Sequence, residues 1–465
     1  MSFFIKPTCV GIATLSLLVA GPSFATPERL EAELTALFAD GELRIGDVSK
    51  AVLRDRFTAE DIVYESPEGE RLKIERYIVS GNYDSPDEVR VEGIRVEDSL
   101  TELLLMSIDS AVFGEPGMAV FNDESMQQTP LNLANLSIDN IALDLNSELA
   151  GDFLYELGIG PAPGRLEIAE VRGEQLSADT IGMLEFSGVA MQGEDLGDLG
   201  SGSLLLDRLR IEALHGMQGE QDEHLGAMIV ENMAIESDTL VASLERLKFD
   251  GDFNDGEGGA WIETLELDLN RMIALAPPSE RTNMRMVSNV LTDGSGTLAV
   301  DAHFEGLWKE QESQSVLGGD SRIMLHDAIG LNVNYDIPVV LPKNTTPVEA
   351  LRDTRLLDAA TLLGGDVTLT LDDEGLLARL VTLGATMEGV SEAQIIEQAR
   401  TQAKGFGMMF GPEVQSVLLG MVELLEGNAS QLVLNITLPA ESNLNTYAQD
   451  PLGLPSQLSL QVETR

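Results

Sequence analysis

Leu204-Leu205-Leu206-Asp207-Arg208-Leu209-Arg210-Ile211-Glu212 is the stretch on which the fold turns. Apolar residues stand at 204, 206, 209 and 211, so two alternating pairs are separated by a polar doublet, Asp207-Arg208. On a helix these offsets point to about 0°, 200°, 140° and 340°, at ~100° per residue, and make no single stripe. On extended chain each pair alternates cleanly, but the two pairs are out of phase by one residue. A β-bulge at the doublet would restore a common face and bend the strand.

The same pattern recurs on both sides of this stretch. One copy is Leu72, Ile74, Tyr77, Val79; another is Val89, Val91, Ile94, Val96; a third is Leu131, Leu133, Leu136, Ile138. Further copies start at Leu166, Leu184, Met228, Ala242 and Ala260. The middle doublets are often polar or contain glycine, as in Glu92-Gly93, Ser187-Gly188 and Glu231-Asn232. Successive copies start 14 to 42 residues apart, whereas a tight β-helix keeps a near-constant rung. The pattern predicts a row of curved, half-buried antiparallel strands.

Helical signals flank this region. Pro27 suits a first helical turn, Leu30, Leu34, Leu37 and Phe38 follow at helical spacing, and Asp40-Gly41 ends the run. A second short helix is predicted over 46–57, with Val48, Val52 and Leu53 on one face, and an apolar helix over 100–113. Pro277-Pro278-Ser279-Glu280 predicts a helix to Leu291 with Ser279 as its cap. Toward the C-terminus, helices are predicted from Pro347 to Leu363, after the capping box Ser391-Glu392-Ala393-Gln394, and from Pro412 to Leu425. Strands are predicted at 366–371, 431–438 and 457–462, and the segment from Pro342 to Pro347 is the best linker. The expected fold class is therefore mainly β with helices (α+β): a curved antiparallel repeat sheet plus a smaller C-terminal α+β module. The expected plan is a signal peptide over 1–25, an N-terminal helical segment over 26–60, a β-repeat domain over 61–346 and the α+β module over 347–465.

The signal peptide is read from Lys6, an apolar run from Val10 to Ala20, the break at Gly21-Pro22, and small residues at Ser23 and Ala25. The run is too short for a spanning helix, which needs roughly 20 residues. Cleavage after Ala25 would remove Cys9, the only cysteine. A long exported chain without disulfides points to a bacterial periplasmic location and a core large enough to hold without them. The mature chain would carry 28 basic against 78 acidic side chains, a net charge of −50. That field repels nucleic acid, which is excluded as a partner. Aromatic residues are only 5% of the chain, too few for the two girdles of a membrane β-barrel.

No catalytic, cofactor or metal site is assigned. His215, His224, His303 and His326 form no H-E-x-x-H arrangement, and neither a G-x-S-x-G elbow nor a P-loop is present. Gly294-Ser295-Gly296-Thr297-Leu298-Ala299 looks like a dinucleotide fingerprint, but the residues after it continue as a strand where that motif needs a helix. The acidic run from Asp250 to Glu257 fails as a calcium loop, since the sixth position is Glu257 or Asp255 where glycine is required.

The segments 131–139 and 204–212 resemble the AsmA-like and TamB-like envelope proteins and the YdgA-like family near them. The resemblance extends over roughly Leu72 to Leu269. It implies long curved sheets whose apolar concave face shelters lipid tails. Those families usually keep an N-terminal membrane helix, from which this cleavable leader departs. The expectation is a non-enzymatic periplasmic scaffold or binding protein with a lipid or other apolar ligand. The alternative is an envelope assembly protein that engages protein partners.

Overall fold

The computed structural model describes residues 26–121, 131–156, 162–217, 224–253, 256–311, 314–352, 354–443, 445, 447 and 457–465. The predicted leader, Cys9 included, lies outside the described residues. Contacts divide the chain into two compact units, Met1–Asp238 and Thr239–Arg465. Both are built mainly from antiparallel strands.

The first unit opens with helix α1 (Pro27–Leu37), which has Pro27 in its first turn and buries Leu30 and Leu34, four residues apart on one face. Strands β1 (Glu42–Arg44) and β2 (Asp47–Lys50) both pair with β3 (Arg56–Glu65). From β3 each strand pairs antiparallel with the next. The order is β4 (Glu70–Asn82), β5 (Ser85–Asp98), β6 (Leu104–Gly114), β7 (Asn132–Asp144), β8 (Gly164–Ser177), β9 (Thr180–Gly193), β10 (Gly202–His215) and β11 (His224–Ser237). Helix α2 (Glu148–Glu156), not anticipated from the sequence, sits in the β7–β8 connection.

Two predicted helices of this unit are strands instead. Over 46–57 the chain forms β2 and enters β3, with Ala51 N–H bonded to the Arg56 carbonyl across a turn. Val52 and Leu53, expected on a packed helix face, are 96% and 95% exposed. In place of the helix over 100–113, the chain turns at 100–101 and forms β6 from Leu104, whose Met106, Ile108, Ala111 and Phe113 face Val96, Ile94, Val91 and Val89 of β5. These four are an unrecognised copy of the repeat.

The repeat resolves as extended chain, and its two phases share a side. Phe57 and Ala59 lie in the same core cluster as Ile62, and Ile74 in the same cluster as Tyr77 and Val79. The device differs from the expected one-sided bulge. In β3–β4, Glu60 pairs with Arg76 and Ile62 with Ile74, so register is conserved while Asp61 and Glu75 are left opposite each other without ladder pairing. This row continues as Gly93, Asp109, Asn140, Ala169, Gly188, Asp207 and Asn232 on β5 to β11. Every second strand enters the left-handed region there: φ is 53° at Asp61, 66° at Gly93, 54° at Asn140, 61° at Gly188 and 51° at Asn232. Asp, Asn and Gly are the residues that visit this region at least cost. Asn140 Nδ2 donates to Asp109 Oδ2 at 2.8 Å, and Asn232 Nδ2 to Asp207 Oδ2 at 2.9 Å. At Gly188 a Cβ would lie 2.8 Å from Ala169 Cβ, so the close approach also demands glycine. Both partner strands change phase together, and no residue is added to either.

The second unit begins with β12 (Val241–Asp250) and β13 (Glu257–Asp268), which continue the repeat. Short helices α3 (Leu269–Leu275) and α4 (Arg281–Leu291) precede β14 (Thr297–Gln311), β15 (Gln314–Leu325) and β16 (Ile329–Val340). A true register shift occurs between β13 and β14, at Ile262/Leu265. Helix α4 starts one residue later than expected: its N-cap is Glu280 rather than Ser279, without a side-chain cap. The predicted helix from Pro347 to Leu363 divides into α5 (Pro347–Arg352), α6 (Thr354–Asp358) and strand β17 (Thr361–Leu363). Strand β18 (Asp366–Asp373), helices α7 (Leu376–Glu388), α8 (Glu392–Phe410) and α9 (Pro412–Leu425), and strands β19 (Gln431–Thr437), β20 (Ala440–Ser442) and β21 (Ser459–Thr464) complete the unit. The predicted linker from Pro342 to Pro347 lies within this unit, after β16, with Pro347 already the first residue of α5. The spatial order is β12 to β16, then β18, β19 and β21, with β17 on the end of β16 and β20 on β17. Leu377 of α7 and Leu424 of α9 pack on Leu371, Leu432, Leu434 and Val462 of the sheet. The capping box forms as predicted: Ser391 Oγ accepts from Gln394 N–H while the Gln394 side chain accepts from Ser391 N–H.

Candidate functional site

In-register pairing lines the repeats up as ladders across the first unit. One runs Phe57, Val79, Val89, Phe113, Leu136, Gly173, Leu184, Ile211, Met228. The next runs Ala59, Tyr77, Val91, Ala111, Ile138, Val171, Phe186, Leu209, Val230. Beyond the left-handed row, a third continues from Ile94 through Ile108, Ile141, Ile168, Val189 and Leu206 to Met233. A fourth runs from Tyr64 to Ile235. A fifth, shorter one joins Leu133, Leu176, Ile181, Leu214 and Leu225. Cross-strand apolar pairs of this kind are the elementary stabilising unit of a sheet, and here they build one continuous apolar face.

Covering elements divide this face into regions of different burial. On β3 to β5, α1 brings Leu30 and Leu34, and Ala119 and Val120 pack alongside. Tyr77 Oη donates to the Ala119 carbonyl at 2.7 Å, and burial, reinforced by Glu33, raises its pKa. On β8 to β10, α2 brings Ala150 and Leu154 over Leu166 and Met191, together with Leu145 and Leu196. Between and beyond these, the β9–β11 parts of the first two ladders are only half-buried: Leu184, Phe186, Leu209, Ile211, Met228 and Val230 all keep partial solvent exposure. This stretch is the candidate binding surface.

The reverse face is polar. Arg172 lies 2.5 Å from Glu170, Arg210 lies 3.5 Å from Glu185, and Arg208 pairs with Glu231. Half-exposed pairs like these contribute about 0–1 kcal/mol each, so this face serves solubility more than stability. An open depression over β4–β6 is lined by Arg76, Arg90 and Arg95 and by Glu75, Glu92 and Asp109. The charges balance, and Arg76 is already 2.5 Å from Glu92.

The titratable residues singled out in the sequence do not converge. His215 and His224 face each other across β10–β11, with His215 Nδ1 3.4 Å from Thr180 Oγ1. His303 is 3.0 Å from Glu305, and its ring lies beside Trp261. His326 Nε2 is 2.6 Å from Asp301 Oδ2, while Asp301 Oδ1 accepts from Thr264 N–H at 2.7 Å. Burial pushes the Asp301 carboxyl up, but the Thr264 amide and His326 together hold it below its ordinary value. Among the described residues no group of three or more His, Cys, Asp or Glu could hold a metal ion. Gly294-Ser295-Gly296 is a turn between α4 and β14, with φ of 83° at Gly294 and 76° at Gly296, and a strand follows it. The acidic run at 250–257 lies partly outside the described residues; its Asp250 is 3.1 Å from Lys248. Comparison with protein-family models and with curated proteins finds no match to this chain. Among the described residues no helix is long and apolar enough to cross a membrane.

Proposed function

We propose that this chain is a non-enzymatic binding or scaffold protein of the bacterial periplasm that shelters a lipid or other apolar ligand on its β-sheet. The observation that carries this reading is the half-buried apolar surface of β9–β11, continuous with the covered core of β3–β5 through shared ladders. Each methylene of an acyl chain laid on such a surface contributes about 0.8 kcal/mol. The balanced or acidic surroundings favour a ligand held by apolar contact rather than by charge. The leader predicted over residues 1–25 and the resemblance of segments 131–139 and 204–212 to AsmA-like and TamB-like proteins are the sequence features that support the periplasmic assignment and the lipid class.

Native mass spectrometry of gently purified protein tests it, with and without incubation with phospholipid. The expected result is a bound mass in the lipid range that is lost in Phe186→Asp and Leu209→Asp. A ligand-free spectrum that stays unchanged on incubation overturns the reading. An assembly role is the second reading. Among the described pairings β21 pairs only with β19, and its residues alternate between exposed and half-buried, as a strand open to augmentation by a partner would. A stable protein partner recovered with the exported chain, and lost on disrupting β21, would favour it.

A further inference from the structure

Helices α8 and α9 form a hairpin joined through one residue, Gly411, whose φ of 102° suits glycine. The helices approach closely just before this joint: a Cβ on Gly407 would sit 2.4 Å from Gln415 Cβ. That contact turns residue 407 toward α9 and its neighbours outward. Phe406, Met408 and Met409 are accordingly 48%, 85% and 73% exposed. Phe406 stacks on Phe410 with ring centroids 6.2 Å apart, which stiffens the tip.

Charge is distributed to match. The chain has a net charge of −49, yet no Asp or Glu occurs between Glu397 and Glu413. Of the two cations in that interval, Arg400 is held by Glu426 and lies 3.8 Å from Glu397. Lys404 is exposed and forms no ion pair among the described residues. The exposed end of α8 thus carries a free ammonium and no carboxylate, while Glu413, in the first turn of α9, is half-buried with its Oε2 beside Gly411; such an end of α8 is suited to a bilayer interface. Met and Phe partition below the headgroups, and a lysine stem reaches back to the phosphates.

We propose that the α8–α9 tip docks on a phospholipid bilayer, with Phe406, Met408 and Met409 entering the interface and Lys404 facing headgroup phosphate. This stands independently of the sheet as a ligand surface. The test is flotation of the full chain with vesicles of phosphatidylcholine, alone or mixed with phosphatidylglycerol. The expected result is co-flotation, reduced at least tenfold in Met408→Glu/Met409→Glu and retained in Met408→Leu/Met409→Leu. Lys404→Glu should weaken binding chiefly on the anionic vesicles. Both methionines are exposed, so thermal melts of the variants should match that of the parent and exclude misfolding. Failure of the parent chain to float, or equal flotation of the glutamate variant, overturns the proposal. So does a parent dimer that the glutamate variant dissociates without any vesicle binding, since the tip would then be a contact between two copies of the chain.

Discussion

Replacing Asn232 tests the row of left-handed residues, because the expected order of substitutions is the reverse of that in an ordinary strand. Asn232 is exposed, so packing does not confuse the result. In a regular strand, Val is favoured over Gly on a scale that spans about 1 kcal/mol. At φ 51°, however, a β-branched side chain meets the full left-handed penalty, about 1–2 kcal/mol. Val also forfeits the 2.9 Å bond from Asn232 Nδ2 to Asp207, a loss of ~0.5–1.5 kcal/mol. Asn232→Val should therefore destabilise the first unit by about 2–3 kcal/mol. Asn232→Gly loses the same bond but relieves the backbone, so it should stay within ~1 kcal/mol of the parent. Urea denaturation followed by circular dichroism reads the difference as a midpoint shift of about 1 M for Val, given a slope of ~1–3 kcal/mol/M. If Val is tolerated and Gly is the more damaging change, the phase inversion does not reside at this residue and the ladder argument falls with it.

Three other substitutions probe the cover and the acid sensitivity. Leu154 is fully buried between α2 and the sheet, so Leu154→Ala should destabilise by about 2–5 kcal/mol, whereas Leu205→Ala, on a side chain 53% exposed, should stay within ~0.5 kcal/mol by the same denaturation assay. Asp301 has a folded pKa depressed from 3.8, so its contribution to stability is complete above that value and is lost as pH falls through the lower folded pKa; Asp301→Asn should flatten that part of the acid unfolding curve, and an unchanged curve would show that Asp301 carries no such linkage.

Particular residues show why part of the architecture was legible and part was not. Leu204 to Glu212 reads as extended chain because its apolar offsets form no helical stripe. Met106, Ile108, Ala111 and Phe113 carry the same offsets, but Leu103, Leu104 and Leu105 run into them and turn alternation into a continuous apolar block, where period no longer separates strand from helix. Val52 and Leu53 have helical spacing from Val48, yet spacing cannot show whether a core exists to receive them, and at 95–96% exposure none does. Helix α2 is not legible because Glu148 to Glu156 is only nine residues long, too short for a helical period to stand out although Ser147 and Glu148 are ordinary helix-start residues. Met408 and Met409 look like ordinary core residues; only the close approach of Gly407 to α9 turns them outward.

Period along the chain is a local property. It therefore sufficed to show that the repeats are extended and that each keeps its apolar residues on one side through a change of phase. The acidic balance, the absence of cysteine beyond residue 9 and the helices at Pro27, Ser391 and Pro412 were equally local. Register is not local. Which left-handed residue stands opposite which carboxylate, and hence whether a phase change adds a residue or is matched by the neighbouring strand, depends on hydrogen bonds between segments tens of residues apart. The same holds for where α1 and α2 cover the apolar face and where it stays half-exposed, because burial is decided by what packs from the other side.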